Sequence, residues 1–178
     1  MLIDNKIVSV LTIKDYKKSL DLAKCLYDSG IVNLDIRLRT QQSKKAIELI
    51  KNSKFKFNIG IGTVLSLEDL YFVKSLGIKY AYSPNTDVKI LNNANKLDIQ
   101  FIPGISNIDN VISAAKYNCK YLKYYPAEKS GGVSNLDLIL AKSKIKNLKF
   151  IAMGGITSIN IKPYLMHKNI IGIGTSWI

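Results

Sequence analysis

Cysteine, histidine and long apolar runs are all scarce in this 178-residue chain. The two cysteines, Cys25 and Cys119, lack the close pairing of a zinc site, and the chain has a single histidine. The composition therefore gives no reason to expect a metal or another cofactor. No apolar run reaches the roughly 18 residues that span a bilayer, so we expect no transmembrane helix and no membrane partner.

Acidic residues are also scarce, with 13 Asp and Glu against 26 Lys and Arg and a formal net charge of +13. Such a charge attracts nucleic acids, anionic membranes or small acidic molecules. The lysines are dispersed, without the basic cluster and interleaved aromatic residues of a nucleic-acid surface. We therefore expect no nucleic-acid partner, but a lysine-rich surface that steers an anionic substrate. The N-terminus lacks a secretory signal pattern, so a reducing cytoplasm is the expected location.

What the chain does contain is a regular alternation of short apolar strands and amphipathic helices. Eight such repeats favour an α/β fold of the (β/α)8 TIM barrel type in one domain, residues 1–178, whereas an open doubly wound sheet more often stops at about five or six strands. The predicted strands are 7–13, 32–39, 55–62, 79–83, 99–103, 119–125, 148–153 and 170–174.

The length is short for this fold, which usually takes about 200 residues or more. The sequence ends just after the eighth predicted strand, without a closing helix. We expect either a neighbouring subunit to cover the seam between the first and last strands, or the sequence to end early.

One lysine lies in a strand rich in tyrosine. Alternation along the sixth predicted strand places Lys123 on the same face as Tyr121 and Tyr125. An amine held among aromatic rings loses hydration, and this loss lowers its pKa towards the range in which it attacks a carbonyl. A lysine that forms a Schiff base is therefore one interpretation. A lysine that snorkels from an edge strand is the alternative.

The carboxyl ends of the predicted strands carry polar and glycine-rich residues, and this is the end where such barrels perform their chemistry. Asp35, Arg37 and Arg39 share one face of the second strand, and inward charges are costly unless they are paired or used. In residues 60–63, which end the third strand, small residues would let a ligand approach the backbone. Glycines also end the seventh and eighth strands, where barrels commonly bind phosphate, although Gly-Gly alone is more often a tight turn.

In order and spacing, these motifs resemble those of the 2-keto-3-deoxy-6-phosphogluconate (KDPG) aldolases, whose wider family includes the 4-hydroxy-2-oxoglutarate (KHG) aldolases. The resemblance covers nearly the whole chain. It implies a cytoplasmic class I aldolase, usually a homotrimer, that cleaves a phosphorylated 2-keto acid to pyruvate and glyceraldehyde 3-phosphate. The motifs are LDIRLRT at 34–40, GIGTVL at 60–65, SP at 83–84, IPGIS at 102–106, LKYYPAE at 122–128, GGV at 131–133, GGI at 154–156 and SW at 176–177.

The resemblance also implies residue roles. Lys123 matches the Schiff-base lysine, which attacks the C2 ketone, and Asp35 matches the general acid/base. The guanidinium of Arg39 suits the planar carboxylate of the pyruvyl group. The matching substrate-binding residues are Arg39 and Thr63 for the carboxylate, Pro84 and Tyr125 for the walls of the pocket, and Gly154, Gly155 and Ser176 for the phosphate.

Three residues depart from the family pattern. Asp35 stands where the family has a glutamate, Arg37 replaces a small hydroxyl residue, and Met153 replaces a threonine or serine before Gly-Gly. Asp35 is one methylene shorter, and a neighbouring cation weakens a carboxylate as a base. Three functions stay open: a KDPG aldolase, an aldolase for an unphosphorylated 2-keto acid such as 4-hydroxy-2-oxoglutarate, and a catalytically weakened keto-acid-binding barrel.

Overall fold

The computed structural model describes residues 5–177, in which parallel strands alternate with helices. A short 3-10 turn, Tyr16–Lys18, precedes the first helix. The strands are β1 (Ile7–Leu11), β2 (Asn33–Arg37), β3 (Asn58–Gly62), β4 (Tyr80–Tyr82), β5 (Gln100–Ile102), β6 (Gly104–Ile105), β7 (Tyr121–Tyr124), β8 (Lys149–Met153) and β9 (Ile170–Thr175). The helices are α1 (Ser19–Asp28), α2 (Ser43–Lys51), α3 (Leu67–Ser75), α4 (Val88–Lys96), α5 (Ile108–Ala115), α6 (Gly132–Ser143) and α7 (Ile161–Met166).

The strands form one parallel sheet in the order β5-β4-β3-β2-β1-β9-β8-β7-β6. Its two edge strands, β5 and β6, are halves of one segment that is interrupted at Pro103, which has no N–H to donate. One half pairs with β4 and the other with β7, so the sheet curls into a nearly closed barrel. The predicted (β/α)8 barrel is confirmed, and the fifth predicted strand is found to be split.

Alternation along each strand separates an outer face from an inner one. On β2, the outward Leu34 and Ile36 pack with apolar residues of α2 in one buried cluster. The inner face of the barrel is largely apolar, and its buried cluster consists of Val8, Val10, Tyr82, Ile102, Ile151 and Met153. The charged inner residues therefore lie against an apolar wall.

The helices begin near the carboxyl ends of the strands, where polar residues cap them. Ser66 and Asp69 form a reciprocal capping box at the start of α3, and the side chain of Asp87 accepts hydrogen bonds from the first turn of α4. Asn107 caps α5 in the same way. These caps fix the loops that surround the carboxyl end of the barrel.

Within residues 5–177, no helix combines the length and the apolar character needed to cross a membrane. The same residues contain no group of three His, Cys, Asp or Glu side chains placed to hold a metal ion.

Candidate active site

Lys123 lies on the inner face of β7, and only 3% of its surface is exposed. Its Nζ lies 5.3 Å from the ring centroid of Tyr125 and 6.0 Å from that of Tyr82. Burial lowers the pKa of Lys123, the Asp35 charge opposes this effect, and the Arg37 charge adds to it. The structure therefore places the amine in a setting that favours its uncharged, nucleophilic form.

Asp35 lies across the barrel from this lysine, on β2, and is fully buried. Its Oδ2 is 3.5 Å from Nζ of Lys123, which is an ion-pair distance but longer than a good hydrogen bond. Neither carboxylate oxygen has a hydrogen-bond donor among the described residues. The ionised form of the carboxylate is thus stabilised by nearby positive charge and not by hydrogen bonds. A small displacement of either side chain would bring the carboxylate and the amine to hydrogen-bond distance.

Two glycines of β3 create the room for these groups. A Cβ on Gly62 would overlap Oδ1 of Asp35, and a Cβ on Gly60 would overlap the ring of Tyr82. The expectation that these small residues let a ligand approach the backbone was therefore wrong. The space is filled by two side chains of the protein, and the glycines serve to hold Asp35 and Tyr82 in the barrel.

Arg37 follows Asp35 on the inner face of β2 and pairs with Gly62 in the sheet register. Its Nε is buried and has no hydrogen-bond acceptor within residues 5–177. No carboxylate in that part of the chain forms an ion pair with its guanidinium. Arg37 therefore contributes an unpaired positive charge to the site.

Arg39 and Thr63 lie together at the rim, just beyond β2 and β3. Nε of Arg39 donates a 3.3 Å hydrogen bond to Oγ1 of Thr63. Thr63 has a φ of 60°, a left-handed conformation that is strained for a β-branched residue and that clusters at functional sites. The side chain of Arg39 remains exposed, so its guanidinium is free to fork onto a carboxylate.

Pro84 follows β4 and packs its backbone closely on β6. A Cβ on Gly104 would overlap the Pro84 carbonyl, so this approach requires glycine. Beside it, the buried Ser83 donates a 2.8 Å hydrogen bond from Oγ to Oδ1 of Asn85. The Pro84 loop is thus held at the carboxyl end of the barrel.

The predicted phosphate end lies beyond β8 and β9. Gly154 and Gly155 have φ values of 94° and 81°, so both adopt a conformation that favours glycine. The ring of Tyr125 packs on Gly154, and the side chain of Glu128 covers Gly155. The N–H groups of Gly155 and Ser176 have no hydrogen-bond acceptor within residues 5–177, so they are available to an anion.

Met153 ends β8 with its side chain fully buried inside the barrel. Its Sδ would lie 2.6 Å from a Cβ on Gly174, so the thioether fills the space beside β9. At this position the chain thus supplies a buried thioether in place of a hydroxyl.

The structure brings Lys123 and Asp35 together, joins Arg39 to Thr63, and packs Tyr125 on Gly154. Pro84 and Ser176 lie at the same end of the barrel, and no hydrogen bond among the described residues links them to these groups. Tyr82 also belongs to this group but was not predicted from the sequence; burial and the Asp35 charge raise its pKa. Its position on the inner face, one residue before Ser83-Pro84, is the pattern that would have identified it.

Known proteins resemble this chain over almost its whole length. A sequence model of the KDPG and KHG aldolase family matches residues 1–178. The KHG/KDPG aldolase of Escherichia coli K12 is 33% identical over 172 residues, covering 97% of this chain and 80% of that protein. The 2-dehydro-3-deoxy-phosphogluconate aldolase of Pseudoalteromonas atlantica is 35% identical over 172 residues, with 97% and 79% covered.

Solved structures of KDPG aldolases resemble the fold of this chain as well. The KDPG aldolase of Zymomonas mobilis with 3-phosphoglycerate has a TM-score of 0.92 at 26% identity, and the match covers 99% of this chain and 83% of that one. The KDPG aldolase of Legionella pneumophila, with pyruvate captured as a covalent carbinolamine, has a TM-score of 0.92 at 31% identity, with 99% and 84% covered.

Proposed function

Because this chain belongs to the KDPG and KHG aldolase family and is therefore a carbon–carbon lyase, we propose that it cleaves KDPG to pyruvate and glyceraldehyde 3-phosphate through a Schiff base. The observation that carries this proposal is the buried amine of Lys123, whose pKa is lowered by burial, with Asp35 at 3.5 Å. An uncharged amine is the nucleophile that such a reaction needs.

In the proposed reaction, the Lys123 amine attacks C2 of the keto acid to form a carbinolamine, which loses water to give an iminium. In the Legionella relative, pyruvate is captured at this carbinolamine stage. Asp35 then accepts the proton of the C4 hydroxyl while the C3–C4 bond breaks, leaving an aldehyde and an enamine on Lys123. Protonation of the enamine at C3 and hydrolysis by water release pyruvate and restore the amine.

Binding of the substrate falls to groups around this centre. We assign the pyruvyl carboxylate to Arg39 and Thr63, which are already joined by a hydrogen bond. Tyr125 packs beside the pyruvyl group, and Pro84 lines the pocket. Gly154, Gly155 and Ser176 receive the phosphate through backbone N–H groups, a role consistent with the 3-phosphoglycerate in the Zymomonas relative.

A second candidate substrate is an unphosphorylated 2-keto acid such as 4-hydroxy-2-oxoglutarate. Met153 favours it, because this thioether fills the place beside Gly174 where a hydroxyl would help to bind phosphate. Both candidates use the same chemistry at Lys123. For either one, we propose a homotrimer that acts in the cytoplasm.

Trapping the intermediate tests the role of Lys123. Incubation with pyruvate and borohydride should add one reduced pyruvyl group to the peptide that contains Lys123, as measured by mass spectrometry. The Lys123→Arg variant should show no adduct, whereas Lys120→Arg, which changes an exposed lysine nearby, should react like the wild type. Absence of an adduct on wild-type Lys123 would refute the Schiff base.

Pyruvate release then separates the two substrates. We expect a higher kcat/KM for KDPG than for 4-hydroxy-2-oxoglutarate if the glycine N–H groups bind the phosphate. The reverse order would assign the chain to the unphosphorylated acid. An adduct without turnover on either substrate would leave a keto-acid-binding barrel.

A further inference from the structure

Lys123 faces one negative and one positive charge inside the barrel. Asp35 and Arg37 both come from β2, and the described groups from the other neighbouring strands are the rings of Tyr82 and Tyr125 and apolar side chains such as Ile151. Among residues 5–177, Asp35 has no hydrogen-bond donor, and the Nε of Arg37 has no acceptor. These three groups therefore interact chiefly through their charges.

Asp35 alone would hinder the attack by Lys123. A buried lysine beside a buried carboxylate forms a neutral ion pair, and this pairing holds the lysine as an ammonium. An ammonium has no free electron pair and cannot attack a ketone. The distance of 3.5 Å between Nζ and Oδ2 makes this a direct problem for the proposed reaction.

Arg37 adds a positive charge to the pair formed by Asp35 and Lys123. A guanidinium is a permanent positive charge in proteins. With Arg37 charged and Asp35 ionised, the charges of the three side chains sum to zero only when Lys123 is an uncharged amine. Without Arg37, the neutral cluster would be the ammonium–carboxylate pair.

We propose that Arg37 balances the charge of Asp35 and so keeps Lys123 in the uncharged form that attacks the keto acid. This inference rests on the proposed function, because it matters only if Lys123 is the nucleophile. Arg37 acts on the reaction through Lys123, and it needs no contact with the substrate to do so.

Trace acetylation with acetic anhydride measures the protonation of each lysine as a function of pH. The reagent carries no charge, so its reaction does not depend on binding of a carboxylate by Arg37. In Arg37→Gln, the midpoint for Lys123 should rise by at least about one pH unit, and its acetylation rate at pH values well below the wild-type midpoint should fall about tenfold. Arg37→Lys should stay near the wild type, and the exposed Lys120 in the same digest should be unchanged.

Asp35→Asn provides an independent variant, because removing the carboxylate should lower the midpoint for Lys123. An unchanged midpoint in Arg37→Gln would overturn the proposal. If the pyruvate concentration for half-maximal adduct also rises in that variant, Arg37 is instead a ligand of the substrate carboxylate. If Arg37→Gln does not fold, an unchanged midpoint in Asp35→Asn would overturn it equally. Failure of wild-type Lys123 to trap pyruvate would instead refute the proposed function. The effect of Arg37 on the protonation of Lys123 would still be measured by acetylation, so the two failures can be told apart.

Discussion

At the scale of single residues, the site is shaped by side chains that occupy the space beside glycines. Asp35 lies over Gly62, Tyr82 over Gly60, and Met153 beside Gly174. Each of these side chains points into the barrel, where packing is close and a misplaced atom has no free volume to move into. The position of the Asp35 carboxylate relative to Lys123 is therefore determined by a residue that has no side chain.

Gly62→Ala should displace Asp35 and reduce turnover while leaving Lys123 able to bind pyruvate. The new methyl group would overlap Oδ1 of Asp35, and loss of a positioned acid/base group costs roughly a hundredfold or more in rate. The measurements are kcat in the pyruvate-release assay and the borohydride adduct. In the control variant Gly60→Ala, the added methyl group overlaps Tyr82 instead. Wild-type turnover in Gly62→Ala would show that the position of Asp35 is not critical.

Some of this detail was accessible from the sequence. Alternation grouped Lys123 with Tyr125 on one strand face, and Asp35 with Arg37 on another. The resemblance to the KDPG aldolases implied that Arg39 and Thr63 hold one carboxylate, and the structure joins these two side chains by a hydrogen bond. The role of Gly62 was not accessible, because it depends on the register of β2 against β3. The distance between Lys123 and Asp35 likewise depends on the curvature of the whole sheet.

At the scale of elements, the turn after β7 is tied to the helices around it. Glu128 covers Gly155 and accepts a hydrogen bond from the Tyr164 hydroxyl on α7. The hydroxyl of Tyr124 lies 2.9 Å from the carbonyl oxygen of Ser130 and 3.0 Å from that of Gly132. The proposed phosphate end is thereby held by the packing of α6 and α7, which no local sequence pattern reveals.

Tyr164→Phe should lower the free energy of unfolding at pH 7 by about 1–2 kcal/mol, because the buried Tyr164 hydroxyl and its hydrogen bond to the Glu128 carboxylate are lost. Burial, and then the hydrogen bond to Glu128, raise the pKa of Tyr164. The folded state thus holds this proton more tightly than the unfolded state. Stability from this group is present below the unfolded pKa of about 10 and is lost as pH rises above it.

The difference between wild type and Tyr164→Phe should therefore shrink above about pH 10. Urea denaturation at a fixed protein concentration measures it. Tyr27→Phe, in which the removed hydroxyl lies on a partly exposed ring packed beside Phe55 and Phe57, should match the wild type at every pH. A constant difference across the alkaline range would contradict the role assigned to the Tyr164 proton.

At the scale of the whole molecule, charge is distributed unevenly around the barrel interior. The strands β1 and β8 present apolar side chains, including Val10 and Ile151, whereas β2 and β7 carry Asp35, Arg37 and Lys123. An apolar wall strengthens the interaction between charges that face it, because water cannot screen them. The repeat pattern sufficed to predict the barrel, but this asymmetry emerges only once the strands are arranged around it.

The proposed homotrimer is tested by molar mass. The chain has a mass of 19.9 kDa, so light scattering during size exclusion should give about three times that value.

Leu67 and Tyr71 lie one turn apart on α3, and Tyr71 is 59% exposed. An exposed apolar pair of this kind is typical of a subunit interface, so Tyr71→Glu should shift the mass towards the monomer while Tyr71→Phe should not. A monomeric wild type would refute the trimer. A trimeric Tyr71→Glu would exclude this face of α3 as the interface, because burying a carboxylate without a partner would cost more free energy than such a contact supplies.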